Sequence, residues 1–143
     1  MIDEAAVTRR LIADENEVLH VYPDSLGYAT IGVGRLVDER KGGGISQDES
    51  RYLLRNDIHR KTAECEQRFD WWDTLGPTRQ GVIVCMAFQL GTNGVTNFRK
   101  MIAAIKIRDY AEASSQMLDS TWEKQTPKRA ERMARIMRTG IWE

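Results

Sequence analysis

The sequence of 143 residues carries 21 acidic and 21 basic side chains, 41% hydrophobic and 29% charged residues, a balance that excludes a disordered, collagenous or coiled-coil chain as a whole. Its longest apolar stretch, Val82 to Phe88, has seven residues, far short of the roughly 20 that a membrane-spanning helix needs. The neutral total conceals an asymmetry, 14 acids and 10 bases in residues 1–70 against 7 and 11 in residues 71–143, but a chain with no net charge is a poor match for nucleic acid.

In chain order, Asp3 can cap a first helix that carries Val7 and Leu11 at helical spacing and ends near Glu15. Asn16 is suited to the left-handed position that closes it. Strand-forming residues follow from Val18 to Val37, interrupted by the turn Pro23-Asp24-Ser25-Leu26-Gly27. A third short strand is expected around Leu36–Val37. Gly32 and Gly34, inside that pattern, imply the close approach of another group to the backbone. Gly42-Gly43-Gly44 closes the small sheet.

Ser46 and Glu49 form a capping box that opens a long helix from Gln47 to about Gln67, with Tyr52, Leu53, Ile58 and Ala63 on its expected packed side. Phe69, Trp71, Trp72 and Leu75 make an apolar hinge, and Pro77 can open the next helix. Gly81 to Leu90 is apolar on nearly all faces and is expected to be the central buried helix. Cys85 is then a small buried thiol, and Gly91 to Gly94 a stop. Shorter helices are expected at about 98–105, 109–118 and 127–138, with Trp122 and Trp142 in the core. The fold class is α+β: a small β lobe at about 16–45, a connecting helix at about 46–68, and a helical lobe at about 69–143 that also receives the first helix, 3–15. A single domain with a cleft between lobes is the expectation, and such clefts bind ligands.

Much chemistry is missing. Val37 stands where the third glycine of a dinucleotide fingerprint belongs, and no phosphate loop exists. No serine elbow exists. His20 and His59 match no metal spacing, and Cys65 and Cys85 make no disulfide framework. What remains is a carboxylate pair, Glu15 at a helix end and Asp24 in the adjacent turn, with Thr30 on the returning strand. Two carboxylates across a sugar ring are the equipment of glycoside hydrolysis. A hydroxyl beside one of them can hold a water, which favours the wider, inverting spacing.

Glu15, Tyr22-Pro23-Asp24 and Gly27-Tyr28-Ala29-Thr30-Ile31-Gly32-Val33-Gly34 closely resemble the phage lysozymes of glycoside hydrolase family 24. Phe88-Gln89-Leu90-Gly91, Trp122 with Gln125-Thr126-Pro127-Lys128-Arg129-Ala130, and Arg138-Thr139-Gly140-Ile141-Trp142 extend the resemblance over nearly the whole chain. It implies a lysozyme-like fold and a muramidase, an endolysin acting on peptidoglycan glycan strands by inversion. Glu15 would be the general acid, Asp24 the second carboxylate and Thr30 a helper that positions water. By the same resemblance Leu36, through its backbone, Phe88, Gln89 and Gln116 would contact substrate, and Arg129 would pair with the catalytic glutamate. Met101 replaces a small polar residue of the family's cleft.

Arg35 replaces a histidine, and an ion pair with Asp57 is expected in place of the family's pair. Only 21 residues separate Arg35 from Asp57, so a helix of the β lobe is expected to be missing. No cofactor, metal, nucleic acid or stable membrane association is expected, and a monomer is. Without a signal segment, the protein is expected to be made in the cytoplasm and to reach the wall by a holin-type release. The basic run Lys124–Arg138 is expected to flank the cleft. A lytic transglycosylase, which needs no second carboxylate, and a wall-binding protein without catalysis are the rival readings.

Overall fold

The computed structural model describes residues 3–143, apart from the side chains of Val7 and Lys41. It divides into two compact units, 1–53 and 54–143, with the boundary inside a long helix. In the first unit, α1 (Glu4–Glu15) starts where the Asp3 carboxylate accepts the Ala6 N–H at 3.0 Å. It ends at Asn16, whose N–H donates to the Ile12 carbonyl and whose φ is 61°. Three antiparallel strands follow in the order β1 (Val18–Pro23), β2 (Ala29–Gly32), β3 (Arg35–Leu36). Val18 faces Gly32 and Tyr22 faces Thr30, so β1 bulges between these pairs. On the other side of β2, Thr30 faces Leu36. Between β3 and the next helix the chain makes one turn of 3-10 helix, Glu39–Lys41.

The capping box forms as a reciprocal pair. The Glu49 N–H donates to Ser46 Oγ at 3.2 Å, and the Ser46 N–H donates to Glu49 Oε2 at 2.7 Å. It opens α2 (Gln47–Arg68), of which Cys65 alone is classed as buried. The expected packed side is overturned: Tyr52, Leu53, Ile58 and Ala63 are all exposed. Charged residues surround this helix so evenly that no continuous apolar stripe exists to dictate a buried face.

The second unit holds the core. Phe69 stacks on Trp71 with ring centroids 4.6 Å apart, and a 3-10 turn, Trp72–Thr74, leads to α3 (Pro77–Thr96). Val82, Ile83, Met86 and Ala87 of α3 are buried. The central helical run stops at Gly91 as expected, where the backbone leaves the helix with φ 74° and ψ 159°, but a further short helical segment, which the glycines gave no sign of, then runs to Thr96. Four helices complete the unit: α4 (Arg99–Lys106), α5 (Tyr110–Leu118), α6 (Thr121–Gln125) and α7 (Pro127–Thr139). The five-residue α6, capped by Ser120, has too short a pattern to be read from periodicity. Ser114 is buried, and its hydroxyl donates to the Ala134 carbonyl at 2.7 Å, joining α5 to α7. Beside it Ala113, Ala130 and Ala134 are buried small residues that permit close helix approach.

Trp122 lies in the core as expected, but Trp142 is 51% exposed. It follows the α7 cap Gly140 and rests its ring on Gly81, where an added Cβ would meet it at 2.5 Å. Both thiols are free, and the burial expected of Cys85 is overturned. Cys65 is fully buried, whereas Cys85 is exposed. Cys85 shares its stretch of α3 with the exposed Phe88 and Gln89, a face that the apolar run alone cannot distinguish. Among the described residues no helix is long and apolar enough to cross a membrane.

Candidate active site

In the first unit, the Pro23–Gly27 turn fixes Asp24. Its Oδ1 accepts two backbone N–H groups, from Leu26 at 2.9 Å and Tyr28 at 2.8 Å. Its own N–H donates to the Tyr28 carbonyl at 2.8 Å. That same carbonyl accepts the Thr30 hydroxyl at 2.9 Å. The Tyr28 backbone therefore couples Asp24 to Thr30, which sits in the central strand at 2% exposure. Asp24 Oδ2 and the lone pairs of Thr30 Oγ1 each keep acceptor capacity beyond these bonds.

Glu15 ends α1 and lies beside the β2–β3 turn. Gly34 there has φ +66°, and an added Cβ would stand 3.0 Å from Glu15 Oε2. The expected close approach is thus realised at Gly34. Gly32, with φ +67°, has nothing within 4 Å of such a Cβ; its backbone angle, rather than a neighbour, is what favours glycine.

The ion pair expected between Arg35 and Asp57 is replaced by two local ones. Arg35 donates to Glu49 at 2.7 Å and to the Gly44 carbonyl at 3.2 Å. Asp57 is taken by Arg60, one turn along its own helix. Glu49 wins because the capping box already fixes its carboxylate at the start of α2. At Leu36, where a backbone contact is expected, the carbonyl accepts the Gly44 N–H at 2.7 Å. A Cβ at Gly43 would stand 2.0 Å from that oxygen, so the glycine loop closes over it.

The second unit offers two cavities. One, of about 440 Å³, is lined by Ile58, Cys85, Phe88, Gln89, Arg129 and Met133 among others. Phe88 is 51% exposed and gives this cavity an aromatic face. Although Cys85 is open to solvent, the side chains around it partly desolvate the thiol and raise it above its ordinary pKa, opposed by the charge of Arg129. Gln89 Oε1 accepts the indole N–H of buried Trp122 at 2.9 Å. Its carbonyl end is thereby held, and its NH₂ is left to donate. Sequence reasoning missed this clamp, having treated Trp122 as core alone; a contact across 33 positions leaves no local signal.

The other cavity, of about 610 Å³, includes Gln116 and Met101 in its wall. Gln116 donates its amide to Glu112 at 2.7 Å, and Met101 is buried. Trp122 borders both cavities. Phe88, Gln89 and Arg129 are therefore brought together, and Gln116 stands apart from them. Among the described residues, no group of three histidine, cysteine or acidic side chains could hold a metal ion.

Comparison with known proteins places these residues in context. The sequence profile of the phage lysozyme family matches residues 13–138. Two proteins of Dictyostelium discoideum are similar over 89% of this chain and 90% of their own length: probable T4-type lysozyme 1 at 31% identity and probable T4-type lysozyme 2 at 29%. The pre-baseplate central spike protein Gp5 of Enterobacteria phage T4 is 29% identical over 94% of this chain, which spans 28% of that much longer protein.

Proposed function

The chain belongs to the phage lysozyme family and is a glycoside hydrolase, and from that premise we propose that it cleaves the β-1,4 bond between N-acetylmuramic acid and N-acetylglucosamine of peptidoglycan with inversion. Glu15 is the general acid that protonates the leaving oxygen. Asp24 and Thr30 orient and activate the attacking water on the opposite face of the sugar. Phe88, Gln89 and Gln116 contact the glycan, and Arg129 supports the acid. The enzyme works as a monomer without a cofactor.

The observation that supports this reading most is the Asp24–Tyr28–Thr30 arrangement. A water accepted by Asp24 Oδ2 and Thr30 Oγ1 would donate both its protons to them. Its lone pair would then be directed away, toward an electrophile. An inverting mechanism requires a water activated in that way.

A turbidity assay on bacterial walls tests the proposal. Wild type should clear the suspension and release reducing ends. Glu15→Gln should lose roughly 10²-fold or more, because an amide cannot donate the acidic proton. Clearing by Glu15→Gln at the wild-type rate would refute the assignment, and anhydro-muropeptide products would establish a transglycosylase instead.

A further inference from the structure

We infer that Gly34 is a positioning residue for the Glu15 carboxylate: the absence of a side chain at this turn makes the seat in which the acid rests. The inference rests on the reading of Glu15 as general acid and deepens it.

The argument begins from a comparison inside one short turn. Gly32 and Gly34 have nearly the same backbone angle, φ +67° and +66°. The left-handed conformation explains a glycine at both, but their surroundings differ. A Cβ at Gly32 would meet nothing within 4 Å. A Cβ at Gly34 would meet Glu15 Oε2 at 3.0 Å, Cδ at 3.3 Å and Cγ at 3.4 Å. The whole end of the glutamate side chain therefore lies on the bare α-carbon of Gly34.

Glu15 is the last residue of α1. Its backbone is held by the helix, but its side chain is exposed, and a long exposed side chain ordinarily samples several rotamers. The surface of Gly34 restricts that choice from one side. Placing an acid within a fraction of an ångström is where positioning contributes most to rate. A methyl group at residue 34 has the Glu15 side-chain end as its nearest neighbours and would displace the carboxylate by a few tenths of an ångström.

The paired variants Gly34→Ala and Gly32→Ala test this, since both place a side chain at nearly the same positive φ and only the first meets Glu15. Each is assayed below its melting temperature, with the folded fraction measured by circular dichroism. Two readouts are taken: kcat and KM on peptidoglycan fragments, and the ¹³C resonance of the Glu15 side-chain carboxyl.

Gly34→Ala should lower kcat about tenfold with KM within twofold, and should shift the Glu15 resonance. Gly32→Ala should keep kcat within twofold and leave that resonance in place. If alanine at residue 34 does not fold, Gly34→Asn substitutes for it, because asparagine tolerates positive φ yet carries the Cβ. Equal losses in the two glycine variants, or an unmoved Glu15 resonance in Gly34→Ala, would overturn the inference. The resonance judges the seat even if Glu15→Gln proves active, an outcome that would refute the catalytic assignment instead.

Discussion

Asn16 follows Glu15 with φ 61° and ψ 165°, a region of backbone space that is nearly exclusive to glycine. The strain of about 1–3 kcal/mol at such a position outweighs the roughly 0.5–1 kcal/mol of added unfolded-chain entropy that glycine brings. Asn16→Gly should therefore stabilise the protein by about 1 kcal/mol and raise its melting temperature by roughly 3 °C, which calorimetry can check. At the same scale, Trp122→Phe removes the N–H that holds Gln89 and keeps a ring beside Phe98 (centroids 6.0 Å apart in the native pair). Loss of one hydrogen bond of about 1 kcal/mol should raise KM about fivefold with little change in kcat. In a Gln89→Ala background the same substitution should have no further effect on KM. A full additional loss there would mean that Trp122 acts through the core.

The elements differ in how far local sequence determines them. Asp3, Ser46 with Glu49, and Pro77 stand at helix starts as expected, because a cap acts within three or four residues. The packed side of α2 and the exposure of Cys85 were not legible, because they depend on which neighbours cover a helix rather than on its own period. Arg35 shows the same limit: its partner Glu49 is 14 residues away, and Asp57 was an equally plausible carboxylate. The capping box and Arg35 together hold the Glu49 carboxyl below its ordinary pKa. A lowered glutamate contributes stability that is complete above the unfolded value and lost as pH falls through the folded one. Glu49→Gln should therefore lower the melting temperature at pH 7 and flatten its decline toward pH 3; an unchanged acid slope would contradict this. The end of α7 has its own fastening. Arg79 donates to the Met137 carbonyl at 2.7 Å and the Arg138 carbonyl at 3.1 Å, and lies 3.8 Å over the Tyr110 ring. Arg79→Met should destabilise by about 1–3 kcal/mol in denaturant titration.

For the molecule as a whole, the α+β class and the order of elements were legible because amphipathic spacing, caps and turns agree along most of the chain. The carboxylates of the candidate site were legible only as a set, through motifs spread over the full length. Taken singly, Glu15 reads as an exposed helix end and Asp24 as a turn residue. The acceptor geometry around Tyr28 could not be foreseen, since it depends on backbone groups that no residue type announces. The charge asymmetry has a consequence at this scale. Lys128 and Arg132 are exposed on α7, and neutralising both should lower activity on anionic walls at low salt and change it little at high salt, where screening already removes steering. Equal losses at both would indicate a fold effect. The proposed reaction is inversion, with Glu15 as the acid and a water held between Asp24 and Thr30. Proton NMR of the first product formed from a short glycan tests it most directly: an α-configured reducing end is predicted, and a β anomer formed first would contradict it.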